Sequence, residues 1–184
     1  LGIWHLDVKH DNILLFRGER QKGLLGAPLV KLADFGLCAS SSETSEEVGF
    51  GLLGGGSTGG TRVFMSPEQA VRFAAGRACL PLDDVKPADA SFDLWAFGLV
   101  LASMASKETR EEFDAYAGWV GEELREAFQT ARTDRTTARV DEAAKAMSTR
   151  AVLIVERAKK TTVDAGLASV WESIVAVLKM CLGG

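Results

Sequence analysis

Phe113, Tyr116, Ala117, Val120, Leu124 and Phe128 fall at i, i+3, i+4, i+7, i+11 and i+15, and no other feature constrains the fold of this chain as much. A stripe with the helical period predicts an amphipathic helix that must bury one face. Trp171, Ile174, Val175, Leu178 and Cys181 repeat the pattern near the C-terminus. Between Lys107 and Lys160 the chain carries 11 acids and 11 bases, so this stretch has no net charge. Those charges read as solvated helix faces, and the late Trp and Phe residues as core. Everything after about residue 106 is therefore expected to be helical.

Upstream the pattern changes. Ile13–Phe16 and Leu29–Ala33 are short apolar runs bounded by polar or Gly-containing sequence, and they read as the strands of an antiparallel hairpin with a long loop. From Leu37 to Thr61, fifteen of 25 residues are Ser, Thr or Gly and none is basic, so little apolar surface is available for burial. Ser66-Pro67-Glu68 has the form of a helix start, with Ser as cap, Pro at the first helical position and an acid in the first turn. A loop with Pro81 and Pro87 follows, and Ser91 is expected to cap an apolar helix from Phe92 to about Ala105. The fold class is α+β, mostly α, with one small β-hairpin.

Composition enters by exclusion. With 21 basic and 25 acidic residues the net charge is −4, which argues against binding nucleic acid or anionic lipid through bulk electrostatics. The three cysteines, Cys38, Cys79 and Cys181, are odd in number and far apart, so neither a disulfide framework nor a clustered zinc site is expected. That usage points to a reducing, intracellular, cytoplasmic setting. The most apolar stretch, Phe92–Ala105, carries Asp93 and falls short of the ~20 residues that span a bilayer. The opening Gly-Ile-Trp-His-Leu-Asp has neither the basic nor the apolar region of a signal peptide.

Polar chemistry is concentrated in His5-Leu6-Asp7-Val8-Lys9-His10-Asp11-Asn12, which leads directly into the first hairpin strand. Phosphoryl transfer needs such a set on one short loop: a carboxylate to orient and deprotonate a hydroxyl, a cation to neutralise the phosphate, and an amide oxygen to hold a metal. Asp34-Phe35-Gly36 ends the second strand, so the hairpin is expected to return Asp34 beside Asn12. Two hard oxygen ligands would then suit Mg²⁺, and Gly36 would allow a sharp turn after them. His5 reads as a packing and hydrogen-bonding residue, His10 as a surface residue and Cys38 as a small buried one.

HLDVKHDNILL resembles the protein kinase catalytic loop HRDLKxxNILL, ADFG resembles the metal-binding motif of that family, and GTRVFMSPE the end of its activation segment. SFDLWAFGLVL is similar to the helix that anchors the catalytic loop. The motifs run from Leu1 to about Ser106, beyond which the likeness is only a helical pattern. The resemblance implies the C-terminal lobe of a serine/threonine protein kinase. Asp7 would be the catalytic base and Lys9 would contact the γ-phosphate. Asn12 and Asp34 would hold Mg²⁺, Leu14 would lie under the adenine of ATP, and Thr61 would bond the catalytic Asp and Lys. Glu68, expected to pair with a distant Arg, and Asp93, expected to accept catalytic-loop amides, would be structural. Residues 1–36 would form the catalytic loop, hairpin and D-F-G, residues 37–68 the activation segment, and residues 69–184 a helical subdomain that diverges after about 106. The partners implied are ATP and a protein substrate with a Ser or Thr hydroxyl.

Three departures stand out. Leu6 replaces the Arg that in many kinases holds an activation-loop phosphate, and a phosphate on Ser40 to Ser45 would sit beside Glu43, Glu46 and Glu47 and be repelled. Activity switched on by a phosphate clamped at Leu6 is therefore not expected. Gly49-Phe50-Gly51-Leu52-Leu53-Gly54 spells GxGxxG but lacks the strand and helix such a phosphate loop needs, and reads as filler. No strand Lys or partner Glu precedes His5, so these residues are expected to be a partial kinase domain without its N-lobe. These 184 residues alone are accordingly expected to show no significant kinase activity. The second reading is a pseudokinase-like, non-catalytic interaction module.

Overall fold

In the computed structural model, residues 2–17, 28–40, 61–81, 87–162 and 168–180 are described, except for the side chains of residues 61, 168, 169 and 177–180. The GxGxxG sequence at 49–54, Ser41 to Ser45, the hairpin loop at 18–27 and Cys181 lie outside them.

The predicted hairpin is present. β2 (Ile13–Phe16) pairs antiparallel with β3 (Leu29–Leu32), with Ile13 opposite Leu32 and Phe16 opposite Leu29. Ala33, expected as a strand residue, lies just past β3, yet its N–H still donates to the Asn12 carbonyl at 2.8 Å. A second antiparallel pair was not legible: β1 (Ile3–Trp4) joins β4 (Ala39–Ser40), with Trp4 opposite Ala39. Two-residue strands are too short to show alternation.

Among the described residues five α-helices follow. Pro67 opens α1 (Pro67–Arg77), and the Ser66 Oγ accepts the Gln69 N–H at 3.1 Å, the expected cap. α2 (Ala90–Ala105) starts earlier than the sequence suggested, because Asp89 and not Ser91 is its cap. The Asp89 carboxylate accepts the Ser91 N–H at 2.7 Å and also the Ser91 hydroxyl. Asp89 places a negative acceptor where the first helical amides are unpaired and the dipole is positive. Ser106 alone separates α2 from α3 (Lys107–Asp134), where Ser106 and Thr109 form a reciprocal capping box. Arg135, in the left-handed region at φ 54°, ends α3; α4 (Ala138–Thr161) and α5 (Ala168–Met180) follow.

Among the described helices, α4 packs against the other four, and α2 against α3, α4 and α5. The predicted stripes line these contacts. Phe113, Tyr116, Val120, Leu124 and Phe128 of α3 are buried, as are Trp171, Ile174 and Val175 of α5. Phe92, Trp95 and Leu99 of α2 are among the most completely buried large side chains. Each such burial contributes about 1.5–3 kcal/mol, which anchors α2 firmly against α3, α4 and α5. Arg139 on α4 pairs with Glu123 on α3 at 2.6 Å, and the Arg150 guanidinium lies 3.9 Å from the centre of the Trp119 ring.

α2 meets α5 closely at Gly98, where an added Cβ would stand 2.6 Å from Ile174 Cγ2. Ile174 is buried and β-branched, so that methyl cannot swing away. Gly98→Ala gains about 1 kcal/mol of helix propensity but forces an overpacked core costing about 1–3 kcal/mol. A net destabilisation is expected, read as a lower urea midpoint.

Candidate active site

The loop from His5 to Lys9 is suspended from α2. The Asp93 carboxylate accepts the His5 N–H through Oδ2 and the Leu6 N–H through Oδ1, both at 2.7 Å. These are the amide contacts that the resemblance implied for Asp93. Between them the two bonds hold Leu6, buried and left-handed at φ 62°, a conformation that costs an ordinary residue about 1 kcal/mol or more. Asp34 is also left-handed, at φ 60°. Two of the four described non-glycine residues with positive φ therefore flank the polar cluster.

Downstream of Leu6 the side chains converge. Lys9 Nζ lies 2.7 Å from Asp7 Oδ2, with Asp7 only 8% exposed and the Lys9 side chain 19% exposed. Asn12 Nδ2 donates to the Asp7 carbonyl at 2.8 Å and to Asp7 Oδ2 at 3.1 Å. A 3-10 turn over His10–Asn12 makes this possible: the Asn12 N–H returns to the Lys9 carbonyl at 3.1 Å, folding the amide back over Asp7. Both donor contacts of the amide go to Asp7, so its oxygen is the face a cation would meet.

His5 is the brace behind the cluster. It is buried, its Nε2 donates to the Ala33 carbonyl at 2.9 Å, and its Nδ1 accepts the Asp7 N–H at 3.3 Å. One bond ties the loop to the end of the hairpin, the other orients the backbone at Asp7. The expected packing and hydrogen-bonding role holds. The Phe35 ring lies 4.9 Å from the His5 ring.

Of the residues singled out by sequence, Asp7, Lys9 and Asn12 come together. Asp34 is brought near through the backbone, because Ala33 is bonded to Asn12, but its carboxylate is exposed and Oδ1 faces the Gly36 N–H at 3.4 Å. Leu14 sits on β2, exposed. Thr61 opens the 3-10 turn Thr61–Phe64, and its side chain is outside the described ones. Amide and carboxylate oxygens are a donor set that fits Mg²⁺, which commonly takes one or two protein oxygens and completes its shell with water and phosphate. Among the described residues no group of three or more His, Cys, Asp and Glu could hold a metal.

Two expectations need correction. His10 is not a plain surface residue: it is half-buried, its Nε2 lies 2.7 Å from Ser103 Oγ, and its ring stands edge-on to Phe64 and Phe113. Cys38 is half-buried, with Sγ 3.8 Å from the His5 carbonyl. Sequence reasoning also missed the buried Arg72 and Gln69 of α1, because buried polar side chains carry no periodic signature.

The setting of His10 has a pH consequence. Burial lowers its pKa from the ordinary 6.5 and Arg110 lowers it further, against smaller opposing effects of Asp11, the Val100 backbone and Asp114. The folded protein thus binds a proton less readily than the unfolded chain, and stability falls as pH drops from about 6.5 toward the lowered folded value. The melting temperature is expected to decline across that window, and His10→Gln to flatten the decline.

A family model described as protein kinase domain matches residues 1–171. Searches of the curated proteins and of the solved structures returned no match. The matched span takes in the strained loop, the Asp7–Lys9–Asn12 cluster, the hairpin and helices α1 to α4, well beyond the motifs that end near Ser106. A match of that extent, over a site built as described, places this chain in the protein kinase domain family.

Proposed function

We propose that this chain is the catalytic lobe of a serine/threonine protein kinase, transferring the γ-phosphoryl group of ATP to a Ser or Thr hydroxyl. The observation that carries the reading is the contact of Lys9 Nζ with Asp7 Oδ2 at 2.7 Å, with the Asn12 amide against the same oxygen. Asp7, fixed by its backbone and shielded by the loop, accepts the proton of the incoming hydroxyl through its carboxylate. Lys9, tethered beside it, neutralises charge on the phosphoryl group as the bond to the leaving oxygen breaks. Asn12 and Asp34 would hold Mg²⁺, which when bound neutralises phosphate charge and orients the nucleotide. Leu14, exposed on β2, offers an apolar surface to the adenine ring, and Thr61 would bond Asp7 and Lys9. The Ser/Thr preference rests on Lys9, whose place after the catalytic Asp is the serine/threonine-kinase choice.

The test uses the natural polypeptide that carries these residues, with Mg·ATP and matched peptides ending in Ser, Thr or Tyr acceptors. Phosphate on the Ser and Thr peptides, lost in Lys9→Ala, is expected; phosphate on the Tyr peptide alone would overturn the assignment. A non-catalytic interaction module is the second reading. It is favoured by the apolar residues that the hairpin leaves exposed, among them Leu15, Phe16, Leu29 and Val30.

A further inference from the structure

Asp93 and His5 do not complete the hold on the catalytic loop. The peptide joining Leu6 to Asp7 has two polar atoms. Its N–H donates to His5 Nδ1 at 3.3 Å. Its carbonyl accepts the Gln69 side-chain N–H at 2.8 Å, across 63 residues of sequence. Gln69 is 3% exposed and lies in the first turn of α1, where Ser66 caps its own backbone N–H. The side chain therefore projects from a fixed helix start into a buried environment, with little freedom to point elsewhere.

The direction of a peptide plane sets the direction of the next Cα–Cβ bond, because the backbone has only two soft torsions per residue. Here the plane also follows a residue at φ 62°, which reverts to an ordinary conformation unless its surroundings prevent it. Asp93 restrains the amide side of Leu6, and Gln69 restrains the carbonyl side. We propose that Gln69 is a positioning residue for Asp7: its amide fixes the Leu6–Asp7 peptide, and so aims the carboxylate that accepts the hydroxyl proton. This rests on the reading of Asp7 as the base. The link also makes the aim of Asp7 depend on the seating of α1, so that movement of this helix is felt at the carboxylate without any contact between Leu6 and a phosphate.

Gln69→Met keeps the volume and removes the donor, whereas Gln69→His keeps a ring N–H. Amide hydrogen exchange is measured first, because it reads positioning without requiring turnover. In Gln69→Met, exchange at Asp7 is expected to accelerate about tenfold or more while α2 and α4 keep wild-type protection, and Gln69→His is expected to reverse most of this. In the natural polypeptide, kcat is expected to fall by up to about 10²-fold in Gln69→Met with KM values nearly unchanged, the size of loss that a misplacement near 1 Å can produce. Should Gln69→Met not fold, the comparison is made with Gln69→Asn, whose amide is one methylene short. Unchanged exchange at Asp7 would overturn the proposal, as would exchange that rises equally in every helix. If the wild type transfers no phosphate, the kinase reading fails, and the exchange arm still decides whether Gln69 fixes the peptide.

Discussion

Replacing Asp7 by Asn is expected to lower the rate of phosphoryl transfer by about 10²–10⁴-fold, the range that a positioned general base supplies. The expectation follows from what the substitution leaves in place. The Asp7 carbonyl still accepts the Asn12 amide, and the Asp7 N–H still meets His5, so the loop keeps its backbone contacts. What disappears is the negative oxygen that Lys9 and Asn12 both approach. An amide cannot take a hydroxyl proton, and Lys9 loses its charged partner. Stability is expected to change little in comparison with the rate. Nucleotide affinity, which depends on Asn12, Asp34 and Lys9 in this account, should stay within a few-fold. A variant retaining a tenth or more of wild-type kcat would remove Asp7 from the role of base.

Asp93→Ala is expected to produce the largest loss of stability at any site residue, about 2–5 kcal/mol, together with loss of transfer. Its two oxygens satisfy the amides of two buried residues, His5 and Leu6. Truncation leaves both donors without their charged acceptor, at about 1–3 kcal/mol for each buried group. It also frees Leu6 to leave its left-handed conformation, which returns about 1 kcal/mol and carries Asp7 away from Lys9. Asp93→Asn keeps one acceptor oxygen and is expected to lose about half as much. Urea unfolding provides the measurement; an Asp93→Ala midpoint within error of wild type would show that α2 does not suspend the loop.

The sequence revealed the parts of this structure that repeat or that cluster chemically. The α3 stripe from Phe113 to Phe128 became core because a helix buries one face wherever it packs, and its period is visible in one dimension. Ser66 with Pro67 was legible because a helix start has local stereochemical demands. The sequence does not choose between Asp89 and Ser91 as the cap of α2, because both qualify and only the observed bonds decide for Asp89. At the site, Asp7, Lys9 and Asn12 were legible from spacing, since one loop carries all three. The left-handed conformation of Leu6 was not, because nothing in a leucine announces positive φ; the strain is imposed by Asp93 and Gln69, both more than 60 residues away. The half-burial of His10 is not legible for the same kind of reason: it comes from Phe64, Ser103 and Phe113, which only the tertiary fold brings together.

The central claim is that the Asp7–Lys9–Asn12 cluster transfers phosphate and does not merely bind nucleotide. The most direct measurement follows labelled γ-phosphate from Mg·ATP to a Ser/Thr peptide in the natural polypeptide, beside nucleotide binding in the same preparation, for wild type and Asp7→Asn. The expected result is that both proteins bind Mg·ATP and that the wild type delivers label to the hydroxyl at least about 10²-fold faster than Asp7→Asn. Binding without transfer in the wild type, or equal transfer in the two proteins, would contradict it.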